Sequence, residues 1–281
     1  MEFVRKNTNA SEGMCIEEQD GFVYLTFPSF TKTKAVKHLF STRMGGVSQG
    51  IFSTLNLSFT RGDDPEAVRE NYRRVAKILH CEEEDFVCSD QTHTVNIRNV
   101  TKEDRGKGVT RDKDYTDVDG LLTKEEDIVL VTLYADCVPL YFLDPIKRVI
   151  GLAHSGWRGT VSGMGACMVE RMVKDYGCRK EDILAAVGPS ICADCYEVSE
   201  DVAQRFLERF GDSVLREGKA LGKYQLDLWE ANRLVLLGAG LTYEQITLPD
   251  ICTCCNGDLL FSHRASEGKR GNLGAFLMLT K

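Results

Sequence analysis

Prolines are few, six in 281 residues, and no Pro/Gly/Ser-rich tract interrupts the chain, so nothing in it reads as an interdomain linker. Long apolar runs are missing too. The longest, near Ile128–Leu133 and Val149–Ala153, fall far short of the ~20 residues that a membrane-spanning helix needs. Basic residues do not predominate: 35 Lys and Arg against 42 Asp and Glu leave a formal net charge of −7. That balance argues against a nucleic-acid footprint or a basic membrane surface. Residues 1–20 carry neither an apolar core segment nor a small-residue cleavage site, so they read as a flexible N-terminal segment and not as a secretory signal. Histidine is scarce, with five residues. Cysteine is the exception to this sparseness. Eleven is an odd number, which precludes complete internal pairing, and without a secretory signal the expected setting is the reducing cytosol.

What is present is a globular composition, 43% hydrophobic and 27% charged, long enough for one large domain over residues 1–281. Helix caps are recognisable. Asp63 or Asp64 before Pro65 opens a helix with Val68, Tyr72, Val75 and Leu79 on one face. A second helix is read over 160–176, ending at Gly177; a third follows Ser199 and a fourth follows Asp227. Short apolar strands are read at 22–27, 36–41, 128–134, 138–143, 149–154, 183–187 and 275–279. Several strands follow one another directly, without regular strand–helix alternation. The expected class is therefore α+β, with mixed sheets flanked by helices in a single domain, and not a doubly wound sheet. The polar stretch 101–119 reads as a surface loop, and the glycines of 156–165 fit neither nucleotide-binding fingerprint.

Two histidines and one cysteine stand out. His93 lies in a stretch that alternates as a strand would, sharing a face with Gln91. His154 ends an apolar strand and opens the run His-Ser-Gly-Trp-Arg-Gly, and Cys137 follows another strand. Two imidazoles and a thiolate make a zinc set that leaves one tetrahedral position open. The three are far apart in sequence, so a buried thiol with two hydrogen-bonded histidines is the competing reading. Cys192-Ala-Asp-Cys195 is a C-x-x-C pair, while Cys252, Cys254 and Cys255 read as a block of three thiols without a second such pair. Four of these could form a structural zinc or iron–sulfur site, or pack as small hydrophobes. Arg43, Arg158 and Arg264 each sit at a turn motif suited to an oxyanion. His38 and His80 read as structural or exposed, and His263 as able to face a site.

In order along the chain stand Phe40-Ser-Thr-Arg-Met-Gly-Gly-Val-Ser48, Leu55-Asn-Leu57, Gln91-Thr-His93, Asp119-Gly120, Ala135-Asp-Cys137 and His154-Ser-Gly-Trp-Arg-Gly159. Gly188-Pro-Ser-Ile191, Cys195-Tyr-Glu-Val198, Cys252-Thr253 and Phe261-Ser-His-Arg264 follow. This series resembles the laccase-domain (YfiH-like) family, whose members are named multicopper polyphenol oxidase or purine nucleoside phosphorylase. The resemblance implies an α/β/β/α layered fold and a zinc site at His93, Cys137 and His154. It also implies phosphorolysis of adenosine, inosine, guanosine and S-methyl-5′-thioadenosine, with adenosine deamination. From the chemistry of the residues beside these motifs, the expected roles are Cys137, Asp136 and Arg158 in catalysis, with Arg43, Asn56, Gln91 and Arg264 on substrate. Purine nucleosides and phosphate are the expected small-molecule partners. Peptidoglycan-precursor editing and copper-dependent polyphenol oxidation are the alternatives. A His₂Cys set does not exclude copper, although five histidines are few for a multicopper centre. Departures from the family pattern are Thr94 and Ser155, where glycine and alanine are common, and His263 in place of tyrosine.

Overall fold

The computed structural model describes residues 2–6 and 13–281. In chain order its main elements are β1 (Cys15–Gln19), β2 (Phe22–Thr26), α1 (Pro28–Thr31), β3 (Val36–Ser41), α2 (Pro65–Leu79), β4 (Phe86–Cys88), β5 (Ile97–Asn99), β6 (Gly120–Thr123), β7 (Val129–Tyr134), β8 (Val138–Asp144) and β9 (Val149–Ser155). They continue with α3 (Trp157–Ser162), α4 (Met164–Tyr176), β10 (Leu184–Val187), β11 (Glu197–Ser199), α5 (Glu200–Phe210), β12 (Leu215–Glu217), β13 (Lys223–Leu226), α6 (Leu228–Gly238), β14 (Ile246–Thr247) and β15 (Leu273–Leu279).

One six-stranded sheet runs β1-β2-β3-β15-β7-β4 and a second runs β14-β10-β8-β9-β6-β5, with a small β11-β13-β12 sheet beside them. The central strands are apolar on both faces because both faces are covered. In β15, Ala275 and Leu277 point into the layer between the sheets with Tyr141, Ile150 and Leu152. Phe276 and Met278 point the other way, onto Val68, Tyr72 and Val75 of α2. In β8, Leu140 and Phe142 meet Met164, Met168 and Met172 of α4, while Tyr141 and Leu143 enter the middle layer. The order is thus helix, sheet, sheet, helix, as expected. Fully burying a side chain such as Phe142 stabilises the fold by about 2 kcal/mol.

Asp64 caps α2 by accepting from Glu66 N at 3.0 Å, and Asp227 caps α6 through Glu230 N at 3.0 Å. Three expectations need correction. The helix read over 160–176 is two helices, because Gly163 takes φ +85°, a conformation that breaks the helical path. The polar stretch 101–119 is not merely a surface loop: Asp104 and Lys107 are buried as a 2.7 Å ion pair, which holds the segment against the sheet. The 1–20 segment also carries order where it is described. Phe3 is buried, Arg5 bridges to Ile251, and Cys15–Gln19 pairs with β2. Residue 1 and residues 7–12 of that segment lie outside the described residues. No helix among the described residues is long and apolar enough to cross a membrane.

Candidate active site and metal centre

His93, Cys137 and His154 converge from three segments, and their ligand atoms all lie within 4.8 Å of one another. His154 is carried by the rigid end of β9, where Pro139 of β8 pairs with it. Cys137 lies in the tight connection from β7 to β8, where Asp136 takes φ +87°. His93 is not on a strand. It sits in a bend at φ +70°, so it does not share a strand face with Gln91. Two non-glycine residues in left-handed backbone beside one cluster store strain that the surroundings must support.

Asp119 supplies that support. Its carboxylate lies 2.7 Å from His154 Nδ1 and accepts the backbone N–H groups of Thr92, His93 and Thr94 at 3.0, 3.1 and 2.9 Å. Thr94 Oγ1 adds a further bond at 3.1 Å, which the glycine common at this position cannot make. Burial opposes ionisation of Asp119, but His154 and these N–H groups outweigh it and hold the carboxyl at about 2. One buried acid therefore shapes the His93 bend and leaves His154 Nε2 free to face inward. Burial likewise opposes ionisation of Cys137, yet His154 and His93 bring its thiol down to about 6. In turn Cys137 and Asp119 override burial and raise His154 to about 9. A thiolate beside a protonated imidazole is a ligand set whose proton a metal cation displaces.

The triad opens into a cavity of about 780 Å³. Leu57, Phe59, Val109 and Leu133 give it an apolar wall, and Arg61, Arg69, Arg111, Lys113 and Arg270 give it positive charge. The Nε atoms of Arg69 and Arg270 are buried with no hydrogen-bond partner among the described residues. Burial, with Arg61 next to it, pulls the Arg270 guanidinium down to about 10. Arg270 Nη1 donates to the Gly271 carbonyl and to Asn272 Oδ1, and what marks this cavity is the convergence of several guanidiniums on one wall, the charge an anion is attracted to.

Of the residues expected on substrate, Gln91 lines this cavity, and Arg43, Asn56 and Arg264 do not. Gln91 lines the cavity, but its amide is spent on Leu133, donating to the carbonyl and accepting from the N–H, each at 2.7 Å. Asn56 is fully buried and ties Ser58, Asp63 and Asn272 together. Arg43 donates to the carbonyls of Ser53 and Gly257 and lies over Phe261, lining a smaller neighbouring cavity. Arg158 is exposed and stacks on Trp157. Arg264 donates to the carbonyls of Cys195 and Glu197. Arg43, Arg158 and Arg264 lie outside the larger cavity's lining.

Asp136 is buried, and its carboxylate accepts from Thr253 Oγ1 at 2.6 Å and from Arg264 N at 2.7 Å. It anchors the Cys137 turn to the 253 and 264 loops. His263 is exposed, His38 is buried against Phe27, and His80 ends α2. The cationic rim from Arg61, Arg69, Arg111, Lys113 and Arg270 was not legible as a site, because charged residues in loops read alike whether or not they converge. Asp119 stood in a recognisable Asp-Gly motif, which was the available signal.

A family model described as multi-copper polyphenol oxidoreductase laccase matches residues 37–280. The chain belongs to this laccase family. Purine nucleoside phosphorylase YlmD of Bacillus subtilis (strain 168) is 39% identical over 244 residues, spanning 85% of this chain and 86% of the relative. Adenosine deaminase RL5, from an unknown prokaryotic organism, is 33% identical over 240 residues, spanning 84% and 91%. The crystal structure of Bacillus licheniformis hypothetical protein YfiH superposes with a TM-score of 0.88 at 34% identity, covering 94% of this laccase-family chain and 99% of that one.

Proposed function

We propose that this chain is a zinc-dependent purine nucleoside phosphorylase, taking adenosine, inosine, guanosine and S-methyl-5′-thioadenosine with phosphate, and that it also deaminates adenosine. The observation that carries this reading is one cavity holding both the His93–Cys137–His154 donor set and several converging guanidiniums. The relatives named phosphorylase and deaminase support it.

The donor set suits zinc: two imidazoles and one thiolate, with His154 oriented by a carboxylate. Zinc held there supplies Lewis acidity at an open coordination position. In phosphorolysis the C1′–N9 bond breaks with its electron pair leaving on the purine, and a phosphate oxygen bonds C1′. Arg61, Arg69 and Arg270, which line this cavity together, supply the positive charge that holds the phosphate. Leu57, Phe59, Val109 and Leu133 cover the purine and exclude water. Asp90 and Asp112 are the carboxylates that line this cavity. Asp90 is held by Lys113 and by the Asp117 N–H at 3.2 Å, and Asp136 by Thr253 and the Arg264 N–H, so the proton carrier for deamination is left to Asp112 or to a group on the substrate.

A multicopper centre is not favoured. His38 is buried on Phe27 N, His80 ends α2 and His263 is exposed, so no further imidazole joins the triad among the described residues.

The decisive assay follows ribose-1-phosphate formation from inosine and phosphate in wild type and Cys137→Ala, alongside metal content. Turnover in wild type that is lost with one equivalent of zinc in the variant is expected. Zinc bound at the triad with no purine turnover overturns the substrate assignment and favours hydrolysis of a cell-wall precursor.

A further inference from the structure

A second cluster of cysteines lies away from the triad. Cys192, Cys195, Cys252 and Cys255 bring four sulfurs within 4.8 Å of one another. The block at 252–255 is therefore a second C-x-x-C pair after all, with Cys254 the odd member. Sixty residues separate Cys192 from Cys252 in sequence. The two pairs are joined by a bridge between Ser190 and Cys252 and by Thr253 N donating to Ser190 O at 3.1 Å.

We propose that Cys192, Cys195, Cys252 and Cys255 form a structural tetrathiolate site for a zinc-class divalent cation. Zinc–sulfur bonds of about 2.3 Å place tetrahedral sulfurs about 3.8 Å apart. Here Cys195 Sγ lies 3.5 Å from Cys255 Sγ, and Cys192 Sγ lies 3.9 Å from it. All four thiols are free. Backbone N–H groups of Cys192 and Cys255 donate to Cys252 Sγ at 3.2 and 3.4 Å, the bonds that stabilise a thiolate in such turns. Lys6 lies near Cys192 and Cys255 and is paired with Asp194, inside the first C-x-x-C, at 3.1 Å.

The placement gives the site a purpose. Thr253, inside the second pair, donates to Asp136, the residue before Cys137, and Arg264 reaches Asp136 and the Cys195 carbonyl together. A cation here would tie two loops together behind the triad and hold the Cys137 turn in place. It makes no contact with substrate, so it is a positioning site.

The test is metal stoichiometry on the full chain under reducing conditions, followed by cobalt substitution. Wild type is expected to hold about two zinc ions per chain. Cys137→Ala is expected to retain one, and its cobalt form to show the intense sulfur-to-cobalt absorption of four thiolates. Cys195→Ser should lose one zinc while keeping the triad's. Should Cys195→Ser fail to fold, the cobalt spectrum of Cys137→Ala still decides. A Cys137→Ala protein that binds neither zinc nor cobalt overturns the proposal. So does an iron–sulfur chromophore, or a mass under non-reducing conditions showing these thiols paired as disulfides. None of these readouts depends on the reaction proposed for the triad.

Discussion

Asp119 lies 2.7 Å from His154 Nδ1 and also caps the bend that presents His93, so one carboxylate sets the orientation of two candidate ligands from different segments. Asp119→Asn keeps the shape but removes the charge and can turn an N–H toward His154. Losses of about 10- to 100-fold in metal affinity accompany the removal of such a partner. Chelator competition monitored by metal content checks this; wild-type retention in Asp119→Asn would remove Asp119 from the role.

Gly156 is needed for close approach, not for backbone freedom. A Cβ there would lie 2.9 Å from His93 Cδ2 and 3.2 Å from Cys137 Sγ. Gly156→Ala is therefore expected to push His93 outward and weaken metal binding while leaving all three ligands in the sequence. Zinc content and Tm measured together separate local displacement from general unfolding, since Tm should change less than metal retention.

Phosphate should be read by the cavity arginines. Arg69→Gln removes a charge-assisted donor worth about 1.5–3 kcal/mol, so KM for phosphate should rise roughly 10- to 100-fold. Zinc content should be unchanged. Arg158→Ala serves as the contrast, because its side chain is exposed on Trp157 and outside the cavity's lining. Steady-state kinetics at varied phosphate that moved only in Arg158→Ala would reverse the assignment.

His38 makes stability depend on pH. Its ring is buried among Phe27, Phe30 and Tyr141, and burial lowers it to about 3. Unfolded histidine titrates near about 6.5. Between those values the unfolded chain binds a proton that the folded chain refuses. This contribution is fully present above pH ~6.5 and falls by about 1.4 kcal/mol per pH unit as pH drops toward 3. Urea midpoints from pH 7.5 to 5 should fall less steeply in His38→Gln than in wild type; parallel curves would sink the idea.

Much of the fold was legible because its signals are local. Asp64 with Pro65 and Asp227 mark helix starts by what their side chains and rings can do within three residues. The apolar strands β7, β8 and β9 declared a covered sheet by having no polar face. Gly163 was misread as helix interior, since its left-handed φ is decided by how α3 and α4 pack. The resemblance named the triad, but spacing did not: His93 and Cys137 sit at positive-φ turns that no periodicity announces.

Composition and pattern by themselves determined a single mixed α/β body, its helix caps, its strands and the scarcity of imidazoles. These follow from side-chain chemistry and the repeat lengths of helix and strand. Only the tertiary structure decided which charges converge. Arg69 and Arg270 are distant in sequence yet share one cavity, and Arg43 and Arg264 lie outside its lining. The same held for cysteine, where packing selected four thiols of five and set Asp136 against Thr253. A residue's partners depend on distances across the fold, and the order of residues along the chain does not encode those distances locally.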